Sequence, residues 1–241
     1  ERMTALQLLL QKYRPESSVV FCNTKREAQE IADELSSLGF SALALHGDLE
    51  QRDRDQTLVR FSNKSASILV ATDVAARGLD IEALDAVINY QLARDTEVHV
   101  HRIGRTGRAG SKGIACSLYT EKEAYKVALL EDYLDQLIVG EPLPPMQLLE
   151  KPIFSPSMET LQIDGGKKQK VRPGDILGAL TSKGDSEGSE NSISGSDVGK
   201  INIFDRCAYV AVKSDVCKLA LKKLSQGKLK GRNFRARLIR S

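Results

Sequence analysis

Apolar positions along the chain follow two periods in turn. Residues 18–22 (SVVFC) and 67–71 (SILVA) are short continuous apolar runs, as in strands buried on both faces of a parallel sheet. Between such runs the spacing becomes helical. Ala28, Ile31, Ala32, Leu35 and Leu38 recur at three- and four-residue intervals, and Gly39 follows as a stop. The same reading predicts helices at 4–13, 50–61, 97–104 and 121–137, and further strands at 41–45, 85–90 and 113–119. Alternation of this kind predicts an α/β domain over residues 1–140, a parallel sheet covered on both faces. Ligands of such sheets gather at the carboxyl ends of the strands.

The periodicity then lapses. Five of the seven prolines lie in 141–157 (EPLPPMQLLEKPIFSPS), which reads as an extended linker. Beyond it the pattern predicts a strand at 159–163, a helix at 173–180 with Pro173 in its first turn, strands at 200–204 and 207–213, a helix at 215–224 and a strand at 233–239. The order β-α-β-β-α-β is the split βαβ of ferredoxin-like folds and predicts a small α+β domain over 158–241. Residues 182–197 (SKGDSEGSENSISGSD) hold one aliphatic side chain, Ile193, and read as a mobile insertion.

Charge divides the chain at the same place. The whole carries 35 Lys plus Arg against 32 Asp plus Glu, net +3, but residues 1–151 are net −5 and residues 152–241 net +8. Two bodies of opposite sign fit two domains. No apolar run approaches the ~18 residues of a membrane-spanning helix. The opening, Glu1-Arg2-Met3-Thr4, is neither an initiator methionine nor a charged-then-apolar leader, and reads as a start inside a longer protein. Cys22, Cys116, Cys207 and Cys217 lack CxxC spacing, so they read as reduced thiols of a cytosolic protein, not a disulfide framework or a zinc site.

Four segments carry candidate chemistry. They are Val19-Val20-Phe21-Cys22-Asn23-Thr24-Lys25, His46-Gly47-Asp48-Leu49-Glu50-Gln51-Arg52-Asp53-Arg54, Ala71-Thr72-Asp73-Val74-Ala75-Ala76-Arg77-Gly78-Leu79-Asp80 and His101-Arg102-Ile103-Gly104-Arg105-Thr106-Gly107-Arg108. If a helix continues through the last, His101, Arg105 and Arg108 fall on one face, and arginines at a domain edge can neutralise a transferring γ-phosphoryl group. The same spacing also describes a solvated basic helix end. Gln51 and Arg54, three apart on a helix, can face outward together, and Thr24 and Lys25 lie just past the end of the first strand.

In order and spacing the four segments resemble the carboxy-terminal RecA-like half of DEAD-box RNA helicases. The resemblance implies that Arg105 and Arg108 complete an ATP site and that His101 relays to a partner domain. It implies that Asp80 binds the ATP ribose beside Gly78, and that Thr24, Lys25, Gln51, Arg54, Thr72, Asp73 and Gly78 meet the RNA backbone. A phosphate-cradling GxxxxGK[ST] loop and a DEAD sequence are both missing. ATP and Mg²⁺ are therefore expected of the full-length enzyme, with an amino-terminal RecA-like domain as partner in cis. The chain alone is expected to be inactive and to hold no cofactor tightly.

The second domain reads as an RRM-like module with weakened stacking, because Gln162 and Cys207 stand where aromatics are usual and only Tyr209 is kept. Charge is what it offers: from Arg206 onward there are eleven Lys or Arg and one acid, Asp215. Lys167, Lys168, Lys170, Arg172, Tyr209, Lys228, Lys230 and Arg232 are its candidate RNA contacts. A helicase core followed by this domain, with IDGGKKQKVRPGDILGALT and GKLKGRNFRARL, resembles bacterial DEAD-box proteins with an RNA-address module. That implies targeting to a hairpin of 23S ribosomal RNA and work on large-subunit precursors, with no membrane partner. The residues by themselves also admit a non-catalytic RNA-binding or chaperone protein, and the core motifs a DNA helicase.

Overall fold

The computed structural model describes residues 1–79, 84–107, 112–182 and 192–240. Strand β1 (Ser18–Cys22) is buried along its whole length, as its unbroken apolar run requires. It lies at the centre of a five-stranded parallel sheet with β2 (Ala42–Leu45), β3 (Ile68–Thr72), β4 (Ala86–Asn89) and β5 (Ile114–Ser117), in the order β2-β3-β1-β4-β5. Val20 sits beside Val70 on one side and Ile88 on the other. Each such fully buried aliphatic side chain contributes roughly 1.5–3 kcal/mol. Helices α1 (Arg2–Tyr13), α2 (Lys25–Ser37), α3 (Gln51–Ser62), α4 (Asp73–Ala76), α5 (Thr96–Ile103) and α6 (Ala124–Leu134) complete this part. The inward stripe of α2, Ala28, Ile31, Ala32 and Leu35, packs with Leu6, Leu9 and Leu10 of α1 over β1. Past its end, Gly39 takes φ +98°, a left-handed conformation that suits glycine.

The second sheet is antiparallel, with β6 (Met158–Ile163), β7 (Val198–Ile203), β8 (Ala208–Lys213) and β9 (Ala236–Ile239) in the order β7-β8-β6-β9. Helices α7 (Pro173–Thr181) and α8 (Cys217–Gln226) cover one face. Leu161, Val210 and Ile201 point to the helices in cross-strand register, with Ile176, Leu180, Ala220 and Leu224 above them. The predicted β-α-β-β-α-β order is thus present.

The chain falls into two compact units, Glu1–Thr57 with Ala66–Ser155, and Leu58–Ser65 with Pro156–Ser241. Much of the proline-rich segment is tied down, in contrast to a free linker. Met146–Glu150 forms a 3-10 turn, Gln11 donates to the Lys151 carbonyl at 2.8 Å, and Ile153 packs on the first core. Most of the serine-rich insertion, 183–191, lies outside the described residues. Its last part is ordered by burial: Ile193 is 3% exposed in the second core, and a 3-10 turn at Gly195–Asp197 leads into β7. All four cysteines are free thiols, and burial pushes the Cys22 and Cys217 thiols up to about 12. Among the described residues no helix is long and apolar enough to cross a membrane.

Candidate functional site

Three strand ends of the parallel sheet meet at one buried side chain, Arg102 on α5. Its guanidinium makes a bidentate contact with Asp73, 2.6 Å from Nε and 2.7 Å from Nη2. It also donates to Asn23 Oδ1 at 3.0 Å, Asn89 Oδ1 at 3.2 Å and the Gln91 carbonyl at 2.8 Å. The plane lies over the Phe21 ring, 5.1 Å from its centroid. A planar five-donor fork suits such a hub, where a lysine would supply a point charge. The side chain is only 1% exposed, so each bond acts in a low-dielectric setting. Sequence reading passed over Arg102 in favour of its neighbours. The available signal was its position one residue after His101, on the inward side of a short helix.

From this hub the network runs to the turn after β1. The Asn23 amide N–H donates to Gln91 Oε1 at 2.9 Å, and Gln91 Nε2 donates to Glu27. Thr24 is the N-cap of α2: its hydroxyl accepts from the Glu27 N–H and donates to the Glu27 carboxylate. Lys25 is exposed and pairs with Asp48 at 2.8 Å, bringing the ends of β1 and β2 together. His46 is held on both ring nitrogens, by Gln29 and by the Asp48 N–H. Of the outward pair on α3, Gln51 is exposed and Arg54 reaches the Ala75 carbonyl at 2.9 Å. Asp73, expected to lie along RNA, has its carboxylate engaged by Arg102, while Thr72 stands half-buried before α4. Gly78 has φ +72° and open space where a Cβ would be.

His101 and Arg105 line an open cleft of about 100 Å³ with Asp73, Arg77 and Phe21. The helix carrying them is shorter than the i, i+4, i+7 reading required. α5 ends at Ile103, Gly104 is its C-cap, and Arg105 sits in the following turn with its guanidinium on the Leu79 carbonyl at 2.9 Å. Thr106 then bridges to Leu84, and Gly107 takes φ +67°. A left-handed residue there turns the backbone out of any helical continuation. Asp80 and Arg108 lie outside the described residues. His99, one turn before Ile103, is held below the usual imidazole range by burial and by the Arg102 charge. A larger cavity, about 490 Å³, is bounded by α1, β5 and α6 and contains none of the predicted site residues.

In the second unit two loops come together. The Lys167 and Lys168 N–H groups donate to the Phe204 and Asp205 carbonyls, each at 2.9 Å, which presses Gly166 onto that backbone. A Cβ on Gly166 would stand 2.1 Å from the Phe204 oxygen, so glycine is required. Lys230, in the other loop, donates to the Lys170 carbonyl at 2.9 Å and lies 3.5 Å from Asp175. Lys167, Lys168, Lys170, Arg172, Lys228, Lys230 and Arg232 are all exposed on these loops. Such a cationic concentration suits a polyanion. Tyr209, also a candidate, is 1% exposed on β8 between Gln162 and Asn202, with its ring edge-on to Phe204 at 5.6 Å.

This geometry has counterparts among known proteins. Residues 1–110 match the model of the helicase conserved C-terminal domain, and residues 160–238 that of the DbpA RNA binding domain. The solved structure of the Escherichia coli DEAD-box protein SrmB bound to regulator of ribonuclease activity A is 34% identical. It aligns with 59% of this chain and 82% of that one, at a TM-score of 0.51. The chain belongs to the DEAD-box family. Another member, Dbp5 of S. cerevisiae bound to RNA and ADP BeF3, is 33% identical over 57% of this chain and 37% of that one, at a TM-score of 0.52. The ATP-dependent RNA helicase DbpA of Escherichia coli is 52% identical over 239 residues, 99% of this chain and 50% of that protein. This DEAD-box chain thus spans about half the length of that curated relative, and its first unit is RecA-like.

Proposed function

We propose that the chain is the carboxy-terminal half of an ATP-dependent RNA helicase whose second unit addresses it to ribosomal RNA. The observation that carries this is the Arg102 hub. One buried guanidinium fixes α5, the helix leading to Arg105, to the strand ends that bear Asn23, Thr24 and Asp73. The residue read as facing phosphate and the residues read as facing RNA are thereby tied together through Arg102. Likeness to a helicase bound to RNA and ADP BeF3 supports the same division.

In this reading Arg105 and Arg108 face the γ-phosphate of ATP held by the other half of the enzyme, and stabilise its developing charge. The ribose is met at Asp80, beside Gly78. His101 relays to the opposing domain, and Thr24, Lys25, Gln51, Arg54 and Thr72 face RNA phosphates, with Asp73 setting the end of β3 under them. In the same reading this half supplies cations and the Mg²⁺ ligands come from the other, with Asp73 paired to Arg102. The paired basic loops of the second unit bind a structured hairpin of 23S ribosomal RNA by its phosphates, placing the core beside large-subunit precursors in the cytoplasm.

The test uses the full-length protein. Arg105→Ala is expected to lower RNA-stimulated ATP hydrolysis by about 10³ or more while RNA affinity stays within about twofold. Unchanged turnover would remove Arg105 from the mechanism. Titration of the 1–241 chain with 23S and unrelated hairpins at two salt concentrations tests the address, and equal affinity for both refutes it.

A further inference from the structure

The basic loops of the second unit are joined at their base, at their tips and, between these, by an apolar contact. The first loop, residues 164–172, runs from β6 to α7, and the second, residues 227–235, runs from α8 to β9. At the base the Asp164 N–H donates to the Arg235 carbonyl at 2.9 Å, and at the tips Lys230 donates to the Lys170 carbonyl at 2.9 Å. Between them the Phe234 ring lies against Gly165: a Cβ on that glycine would stand 2.5 Å from two ring carbons. Gly165 is buried and does not take a left-handed conformation, so it is the ring, not the backbone, that requires glycine there. Phe234 itself is half-buried and packs on the second core. The second loop is also pinned at Leu229, 3% exposed, which exchanges backbone hydrogen bonds with Arg232 across a two-residue turn. The turn residues Lys230 and Gly231 have φ +52° and +77°, the type I′ pattern of a tight hairpin.

We propose that Phe234 is a positioning residue for RNA. Seated on Gly165, it fixes the spacing of the two basic loops, so that Lys167, Lys168 and Arg172 on one and Lys228, Lys230 and Arg232 on the other meet a single RNA together. The proposal rests on the reading that the second unit binds a hairpin of 23S ribosomal RNA. Phosphates of a folded RNA lie at fixed places, so cations on two separate loops match them only if the loops keep a fixed spacing. Long-range attraction has no such requirement, because a loosened loop keeps its lysines. The Lys230 bond at the tips is exposed and competes with water, so it adds little rigidity. The Asp164 bond fixes only the base, where the second loop enters β9. Leu229 and Phe234 hold the two legs of the basic turn, one in the second core and the other on the first loop. Phe234 is thus the member of this pair that sets one loop against the other.

The test titrates the 1–241 chain, at two salt concentrations, with the 23S hairpin it binds most tightly and with an unrelated hairpin. Phe234→Ala should weaken binding of the 23S hairpin about tenfold or more, and that of the unrelated hairpin less than about twofold at either salt, because no charge is altered. Phe234→Leu keeps an apolar side chain on Gly165 and should bring 23S affinity back to within about threefold. A loss as large as that of Phe234→Ala would make the ring a base-stacking surface and overturn the proposal. Gly165→Ala displaces the ring from the other side, should match Phe234→Ala, and serves in its place if Phe234→Ala does not fold. The losses in the two should not add when they are combined, since both remove one contact. Circular dichroism checks that each variant stays folded. Undiminished discrimination in folded Phe234→Ala or Gly165→Ala overturns the proposal and leaves the RNA reading intact. An unaltered chain with equal affinity for both hairpins refutes the reading, and the proposal falls with it.

Discussion

Replacing Arg102 by Met removes the hub and keeps much of its volume. Five hydrogen bonds to four residues are lost: two to Asp73 and one each to Asn23, Asn89 and Gln91. Breaking a buried ion pair from one side typically costs about 3–5 kcal/mol, because the other partner is left uncompensated. Here Asp73 is about a quarter exposed, so water recovers part of its solvation and a cost of about 3 kcal/mol is expected. The Asn23 and Asn89 oxygens, within the buried end of the sheet, bring the total toward about 4 kcal/mol. Asp73→Asn keeps the shape but leaves a charged guanidinium 1% exposed, and should cost about 2–3 kcal/mol. The double variant should be less destabilised than the two singles together, with a coupling of about 2 kcal/mol. The assay is native-state hydrogen exchange of the β1, β3 and β4 amides, which reads the first unit apart from the second. A cost below about 1 kcal/mol for Arg102→Met, or additive effects in the cycle, would show that Arg102 is not the hub.

The remaining predictions concern both units. Gly166→Ala forces the loop off the Phe204 carbonyl, since the added Cβ would stand at 2.1 Å; a loss of about 2–3 kcal/mol in the second unit and at least tenfold weaker RNA binding are expected, measured by unfolding of the β6 and β8 amides and by titration. His99 has a folded pKa below its ordinary 6.5, through burial and the nearby Arg102 charge, so the unfolded chain binds the proton more readily. Its contribution is therefore complete above the unfolded value and is lost as pH falls through the folded one. A pH series of first-unit stability should show a decline beginning below about 6.5 that His99→Gln flattens.

Much was settled by local pattern. The inward stripe of α2 and the stop at Gly39 are properties of neighbouring residues, and each is where the sequence places it. The unbroken apolar runs of β1 and β3 could only be buried strands, and the two sheet types follow from the order of elements. Glycine at 166 is legible as a glycine, but its reason, a carbonyl 38 residues away, is not. Ile193 looked stranded in a polar insertion until the second core enclosed it.

The sequence by itself determined that an α/β body of motif-bearing strand ends is followed by a basic α+β module, because periodicity, caps and charge act over a few residues. Only the tertiary structure decided which arginine is buried. Arg102 and Arg105 lie three residues apart in one motif. One is sealed under three strand ends, and the other reaches out from the turn where the helix stops. Tertiary packing likewise leaves Tyr209 1% exposed and Ile193 3% exposed. Burial is set by what the rest of the chain brings alongside, and a side chain's own neighbours in sequence do not contain that information.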